Sequence, residues 1–243
     1  MRLMYFRPQV TRFVILFVER SGSTYLATSL ASHPQIEARR EEFAHLRQRG
    51  EDGAAQLKWA RAFWTPPLLS REKARGFKSK IEDILDPAGF GRLLRKNRVR
   101  VIQLQRRNLI KAVVSTINAR RLYEASGNWN LLRESDRLPA FEADPAEFSH
   151  LLDERIRWDQ ELESYVGALQ LPRLQLFYED LLLGERQFLG RIFDFLGVPT
   201  REVQGKTFKS TKDDLREVLL NFDDLRDQYA GTPYHSMFSE VIA

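Results

Sequence analysis

Short runs of largely apolar residues alternate with longer amphipathic stretches along the chain. Four of these runs are bounded by polar residues and cover residues 13–18, 75–79, 99–104 and 174–178. Apolar runs of about four to eight residues without alternation are typical of strands that are buried on both faces. The pattern therefore predicts four buried strands.

The stretches between these runs carry apolar residues at helical spacing. The predicted helices cover residues 25–31, 108–125, 146–169 and 187–196, and a glycine followed by a proline ends the last one. Strands that alternate with helices need crossover connections, which give a parallel sheet with ligands at the carboxyl ends of its strands. We therefore predict an α/β fold: a single domain with a central, mostly parallel sheet of four or five strands, flanked by helices on both faces.

Two segments fit this scheme poorly. Residues 35–74 form a charged excursion with predicted helical character, and residues 127–147 are polar with two prolines. Insertions of this length above the active edge of an α/β sheet often form lids or substrate walls, although plain surface excursions are equally common. Both segments are candidate walls for an acceptor substrate.

Composition narrows the class of protein. The chain has 243 residues, of which 43% are hydrophobic and 29% charged, and it has no repeat or linker, so one globular domain over residues 1–243 is expected. It contains no cysteine, which excludes disulfides, thiolate metal sites and cysteine nucleophiles and favours a cytoplasmic location. The apolar run at residues 13–18 is shorter than the roughly 7–15 residues of a signal peptide core or the roughly 20 of a membrane span.

The net charge decides little. Lys and Arg number 38 and Asp and Glu 33, so the formal charge is +5. That excess is compatible with a nucleic-acid binder and with an enzyme for anionic small molecules, because the position of the charge matters more than its sum.

A candidate phosphate loop follows the first predicted strand. Its sequence is Arg20, Ser21, Gly22, Ser23 and Thr24, and the first predicted helix comes next. Backbone N–H groups and the positive end of a helix bind phosphate at such a junction, with the arginine supplying charge and the hydroxyls supplying donors. The simpler alternative is that Ser23 or Thr24 only caps the helix. The loop lacks the first glycine and the lysine of a kinase-type P-loop.

A second candidate phosphate contact follows the third predicted strand. Arg106 and Arg107 come directly after it, and Ser115 lies eight residues beyond Arg107 on the next helix. Arginines at a strand end and a hydroxyl on the following helix suit a clamp on a second phosphate. One of the two arginines is expected to be solvated instead.

These motifs resemble the sulfotransferases that use 3′-phosphoadenosine 5′-phosphosulfate (PAPS), especially the bacterial and carbohydrate-type members. Residues 20–24 match the family's 5′-phosphosulfate loop, and Arg107 with Ser115 matches its 3′-phosphate motif. Residues 176–181 are similar to a segment near the family's fourth strand. The resemblance runs over nearly the whole chain and implies a P-loop NTPase-like fold, PAPS as co-substrate and no metal.

The resemblance also implies further nucleotide contacts. It extends residues 20–24 by one position to Tyr25. It also matches residues 207–212 to a basic loop that covers the nucleotide. The cofactor-binding residues implied there are Lys209, Ser210, Thr211 and Lys212.

Catalytic roles come from the resemblance too. Carbohydrate-type members use a glutamate after the first helix as general base, and Glu41 aligns best with it, with Glu42 as the alternative. Acidic residues that open a helix also suit the helix dipole without any catalytic role. Arg20 and Lys78 are expected to stabilise charge on the leaving phosphate, although Lys78 on the solvent face of a strand is the simpler account.

The acceptor is not readable from the sequence. A hydroxyl of a carbohydrate, a lipid or a small molecule is expected, with no nucleic acid partner, and the oligomeric state stays open. Trp59, Phe63, Trp64 and Trp129 either form an acceptor wall or belong to the core. The competing functions are a P-loop kinase-like phosphotransferase and a non-catalytic nucleotide- or RNA-binding protein.

Overall fold

A five-stranded parallel sheet forms the centre of the computed structural model, which describes residues 10–68, 70–207 and 209–242. The strands are β1 (Thr11–Phe17), β2 (Ile36–Arg39), β3 (Ala74–Lys80), β4 (Arg100–Gln105) and β5 (Arg173–Phe177). Their order across the sheet is β2-β3-β1-β4-β5, and every neighbouring pair is parallel. The predicted α/β fold with a mostly parallel sheet is confirmed.

Helices cover both faces of this sheet. In the described residues they are α1 (Ser23–Ala31), α2 (Glu42–Gln48), α3 (Gly53–Phe63), α4 (Pro87–Lys96), α5 (Leu109–Ser126), α6 (Pro145–Leu169), α7 (Tyr178–Leu183), α8 (Glu185–Leu196), α9 (Phe222–Gln228) and α10 (His235–Phe238). Sequence signals explain the longest two: Asn108 caps α5 through the Lys111 amide, and Asp144 caps α6 just before a proline. No helix in the described part of the chain is long and apolar enough to cross a membrane.

The excursion at residues 35–74, predicted to be helical, begins instead with a strand. Residues 36–39 form the edge strand β2, which pairs with β3 from Ile36 opposite Ala74. The strand has only four residues and buries little more than Ile36, so it lacks the apolar run of the other strands. Helices α2 and α3 fill much of the remaining segment, as expected.

Strand β1 lies at the centre of the core. Val14 and Leu16 face one helical layer, whereas Phe13, Ile15 and Phe17 face the other, and all five are buried. This two-sided burial explains why the run shows no alternation of apolar and polar residues.

Three of the four aromatic residues proposed for an acceptor wall belong to the core. Trp59, Phe63 and Trp64 pack around Phe77 of β3, with ring centroids 5.0, 6.1 and 5.2 Å from it. Trp59 and Phe63 lie four residues apart on one face of α3, and Trp64 is the C-cap residue of that helix. Trp129 does not join this cluster and is 52% exposed.

The carboxyl ends of four strands meet along one edge of the sheet. Phe17 of β1 lies beside Lys80 of β3 and Leu104 of β4, and Gln105 of β4 lies beside Phe177 of β5. Because neighbouring parallel strands end together, the segments that follow them are brought side by side at this edge.

Candidate active site

A cavity of about 490 Å³ opens at this edge of the sheet. Its size lies within the usual range of small-molecule sites. The residues that line it come from the segments that follow β1 and β4, from helices α1, α5, α7 and α8, and from the loops that follow α5 and α8. They are Arg20, Gly22, Ser23, Thr24, Tyr25, Arg106, Ser115, Asn130, Tyr178, Leu181, Leu182, Leu183, Gly184, Glu185, Thr207, Lys209, Ser210 and Thr211.

The loop between β1 and α1 has the geometry of an anion cradle. Helix α1 begins at Ser23, and its cap is Gly22 with a left-handed φ of 78°, so no side chain caps the helix. The alternative that Ser23 or Thr24 is only a cap is therefore wrong. A side chain at Gly22 would also come within 2.6 Å of the Tyr178 ring. The amino end of α1 thus faces the cavity without a capping side chain, as a phosphate site requires.

Two buried side chains, Ser21 and Arg155, support the loop between β1 and α1. The Ser21 hydroxyl donates to the Val18 carbonyl at 2.6 Å and accepts from Arg155 Nη2 at 3.3 Å. Arg155 of α6 also donates to the Glu19 carbonyl at 2.5 Å and pairs with Asp159. The hydroxyl of Ser21 thus supports the loop and does not line the cavity. Sequence analysis missed Arg155, since nothing distinguishes it from the other charged residues of α6.

Arg20 lines the cavity, and its hydrogen-bond partners in the described residues are uncharged. Its guanidinium donates to Ser115 Oγ at 3.1 Å, to Ser210 Oγ at 3.1 Å and to the Trp129 carbonyl at 3.2 Å. Burial lowers the pKa of Arg20 from its ordinary value. Three segments that are distant in sequence therefore converge on this one cation.

The side chains of the two adjacent arginines after β4 have different surroundings. Arg106 is 8% exposed, lines the cavity and donates to the Arg20 carbonyl at 3.3 Å, whereas Arg107 is exposed. The Arg107 side chain pairs with Asp180 at 2.7 Å and lies over the Phe177 ring. The structure thus brings Arg106, and not Arg107, together with Ser115.

Among the described residues, Arg106 has the Glu179 carboxylate as a nearby counterion but makes no hydrogen bond to it. Its Nε lies 3.9 Å from Glu179 Oε1, too far for a hydrogen bond, and that nitrogen is buried without a partner there. Burial lowers the pKa of Arg106 to about 10. The hydroxyl of Thr211, on the opposite wall, is also buried and unpartnered within the same part of the chain. Buried polar atoms are nearly always hydrogen-bonded, so these two fit an anionic ligand such as a nucleotide phosphate.

Lys78 and Glu41 meet beside the phosphate loop. Lys78 of β3 is 1% exposed, and its Nζ lies 2.6 Å from Glu41 Oε1, 2.8 Å from Thr24 Oγ1 and 3.1 Å from Ser23 Oγ. The simpler account, in which Lys78 lies on a solvent face, is therefore wrong. Burial lowers the pKa of Lys78, and Glu41 partly offsets this effect. Glu42 instead lies 3.7 Å from His45 on the surface of α2.

The basic loop after α8 forms the far wall of the cavity. Asn118 and Arg137 hold it by donating to the Ser210 carbonyl at 3.1 and 3.2 Å, and Arg137 also donates to the Lys209 carbonyl. Lys212 points away and pairs with Glu217. Phe208 lies outside the described residues. Part of the 127–147 segment therefore supports this loop, a role that the sequence did not indicate.

The mouth of the cavity is less polar near α7 and α8. Tyr25 donates to Glu185 Oε1 at 2.5 Å, and its ring packs closely against Gly205. Burial and the Glu185 hydrogen bond raise the pKa of Tyr25 to about 12. With the leucines at positions 181–183, this ring offers an apolar surface that suits a flat heterocycle.

Comparisons with known proteins agree with this geometry. Nodulation protein H of Rhizobium tropici is 25% identical over 245 residues, covering 95% of this chain and 94% of the relative. Nodulation protein H of Rhizobium meliloti is 25% identical over 243 residues, covering 93% and 94%. A sulfotransferase from Alicyclobacillus acidocaldarius has the same fold, with a TM-score of 0.52, 13% identity and 94% of each chain covered. No model of a protein family matches the chain.

The five-stranded parallel sheet flanked by helices is a P-loop-like α/β fold of the kind found in sulfotransferases. The chain resembles sulfotransferases in sequence and in fold, and it is an enzyme of this kind with PAPS as its sulfuryl donor. The resemblance to sulfotransferases, the enzyme class and the co-substrate predicted from the sequence are confirmed.

Proposed function

We propose that this sulfotransferase transfers the sulfuryl group of PAPS to a hydroxyl of a carbohydrate, with Glu41 as general base. One observation carries the proposal. Lys78 connects the Glu41 carboxylate to the hydroxyls of Ser23 and Thr24 at the amino end of α1. A carboxylate is thus held one side chain away from the loop expected to bind the phosphosulfate.

The cavity residues divide between the two ends of the donor in this proposal. Arg106, Ser115 and Thr211 receive the 3′-phosphate, because two of them have buried atoms without a partner in the described residues. The amino end of α1 and Arg20 receive the 5′-phosphosulfate. Lys209 lies at the wall, where its ammonium pairs with Asp213 at 2.7 Å. Arg107, chosen from the motif, is replaced by Arg106 because its side chain is already engaged with Asp180.

PAPS supplies a sulfuryl group bonded to the 5′-phosphate through a bridging oxygen. Glu41 accepts the proton of the acceptor hydroxyl as the new oxygen–sulfur bond forms. The bond from sulfur to the bridging oxygen breaks, and its electrons remain on the phosphate of adenosine 3′,5′-bisphosphate. Lys78, Arg20 and the α1 amino end stabilise this growing charge. Glu41 is 31% exposed, so an acceptor has access to it.

The surroundings of Glu41 favour a polyhydroxylated acceptor. Arg40 lies close enough to Lys78 to lower its pKa, and Lys80 on the same strand pairs with Glu82 at 2.5 Å. Charged side chains suit hydrogen bonds to sugar hydroxyls better than they suit a lipid chain or an apolar phenol. Lipid and small-molecule acceptors are the competing classes.

Two expectations from the sequence remain part of the proposal. Residues 1–243 act as one sulfotransferase domain, and the protein works in the cytoplasm. The absence of cysteine from the sequence supports the second of these. Adenosine nucleotides, and not nucleic acids, are the expected phosphate ligands of the basic residues.

Isotopically labelled PAPS offered with separate pools of oligosaccharides, phenols and lipids tests the acceptor class. We expect label in the oligosaccharide pool, unchanged transfer in EDTA and loss of transfer in the Glu41→Gln variant. Label found only in phenols or lipids would overturn the carbohydrate assignment. Transfer that EDTA abolishes and magnesium restores would overturn the metal-independent mechanism.

A further inference from the structure

Two aromatic rings are stacked on each other at the protein surface. Tyr123 lies in the last turns of α5 and Trp129 in the loop that follows, with ring centroids 4.4 Å apart and an angle of 15° between the planes. Tyr123 is 45% exposed and Trp129 52%. Among the described residues, neither the phenol hydroxyl nor the indole N–H has a hydrogen-bond partner. The rings therefore present flat apolar faces and free polar edges to solvent.

This pair is continuous with the active site. The Trp129 carbonyl accepts from Arg20, and the next residue, Asn130, lines the cavity. Tyr123 lies eight residues after Ser115 on the same helix, about 12 Å along its axis at the usual rise per residue. Arg20 connects this pair to the proposed base, because it donates to the Trp129 carbonyl and the Glu41 carboxylate lies near enough to act on its pKa. An oligosaccharide held at Glu41 would extend along this side of the cavity toward the pair.

The surroundings of the pair argue against a broad apolar partner. Arg120, Glu124 and Arg133 are exposed on the neighbouring turns, so charge interrupts any larger apolar patch. A sugar ring matches this pattern, because its C–H face packs on an aromatic ring while its hydroxyls contact polar neighbours. Each ring also holds the other in place, so little side-chain entropy is lost on binding.

We propose that Tyr123 and Trp129 form a remote acceptor subsite that stacks on a sugar ring some distance from the sulfated one. This inference rests on the proposed carbohydrate acceptor. It assigns to the enzyme a preference for oligosaccharides over monosaccharides, since only a longer acceptor spans Glu41 and the aromatic pair.

The test measures sulfation of sugar series from one to five units, composed of N-acetylglucosamine, β-linked glucose or α-linked glucose. We expect Trp129→Ala to raise the KM of the longest acceptor about three- to tenfold, the range of one aromatic contact. Its kcat, the KM of the monosaccharide and the affinity for adenosine 3′,5′-bisphosphate should stay unchanged. Trp129→Phe should restore most of the effect. Leu132→Ala is the matched control, because Leu132 is 50% exposed on the same loop.

Equal effects of Trp129→Ala on short and long acceptors would overturn the subsite, and so would normal KM values throughout. If the wild-type enzyme labels none of these sugars, the proposed acceptor class is wrong. Calorimetry with the same sugars on the bisphosphate-bound protein then tests the subsite separately: binding that depends on Trp129 supports it, and binding that does not overturns it.

Discussion

The two sides of the catalytic edge handle positive charge in opposite ways. On the β3 side, Lys78 is already neutralised by Glu41 at 2.6 Å. On the β4 side, no carboxylate of the described residues lies within hydrogen-bond distance of the Arg106 side chain, and Arg20 donates to hydroxyls and a carbonyl. Among the described residues, the cation that lines the site is thus closely paired with a carboxylate on the β3 side, whereas Arg20 and Arg106 on the β4 side have no hydrogen bond to a carboxylate.

In the proposed mechanism, this difference separates donor binding from chemistry. Buried cations with no hydrogen bond to a carboxylate attract an anion strongly, because a phosphate that hydrogen-bonds them offsets part of the cost of burying them. A cation that is already paired attracts an anion less, but it keeps its carboxylate oriented next to the reacting group. The β4 side therefore suits donor affinity, and the β3 side suits proton removal and charge stabilisation.

The Glu41→Gln variant is the strongest test of the proposed division between the β3 and β4 sides. The amide keeps the size and hydrogen bonding of the side chain but cannot accept the hydroxyl proton, so turnover should fall roughly 10²–10⁴-fold. Affinity for adenosine 3′,5′-bisphosphate should change little. Steady-state kinetics with the true acceptor and a separate binding titration provide the two readouts.

Glu42→Gln is the control for this variant, since Glu42 contacts His45 and not Lys78. Its turnover should be nearly normal. A large loss in Glu42→Gln with an active Glu41→Gln variant would move the base to Glu42. Full activity in both would show that the base lies elsewhere.

A carboxylate deeper on the β4 side tests how much neutralisation contributes to stability. Asp213 lies 3.0 Å from the buried Lys111 Nζ and 2.7 Å from Lys209 Nζ, and it accepts from the Ile242 amide. Asp213→Asn should cost about 3–5 kcal/mol of unfolding free energy at neutral pH, the usual result of breaking a buried ion pair. Urea unfolding measures this difference. Asp214→Asn, in an exposed pair with Arg216, should cost about 1 kcal/mol or less.

The same variant has a defined pH dependence. Burial alone would raise the pKa of Asp213, but hydrogen bonds from Lys209, the Ile242 amide and Lys111 hold it below its ordinary value of 3.8. The stabilisation is therefore present above about pH 4 and is lost as the pH falls toward the lowered native pKa. The stability gap between wild type and Asp213→Asn should narrow below that pH. A gap that stays constant down to about pH 2 would contradict the assignment.

The last prediction concerns which of the two adjacent arginines after β4, Arg106 or Arg107, binds the donor nucleotide. Arg106→Ala should lose about 1.5–3 kcal/mol of bisphosphate affinity, the contribution of a hydrogen bond to a charged group. Arg107→Ala should lose much less, because it removes only an exposed pair with Asp180. Calorimetry measures both, and Arg106→Lys checks that folding is intact. A greater loss at Arg107 would restore the assignment made from the motif.

Local sequence patterns by themselves determined much of this protein. The apolar run of β1, the junction of that strand with α1 and the helical spacing of α5 and α6 predicted the parallel sheet and the phosphate loop. These features depend on residues close together in the chain, where strand period, helix caps and glycine conformation act. Strand β2 was not predicted, because it is short and only half buried. It forms a strand mainly through its pairing with β3, which lies far away in the sequence, with Ile36 opposite Ala74.

The tertiary structure alone decided which of two neighbouring residues faces the site. Arg106 and Arg107 are chemically identical, and so are Glu41 and Glu42, and each pair differs only in the direction its side chains take from the backbone. Burial of Lys78 and support of the loop by Arg155 and Arg137 likewise depend on contacts between distant segments. The sequence specifies which functional groups are present at a strand end. The packing of distant elements decides which of these side chains face the site, because packing sets the distances between them and removes water from around them.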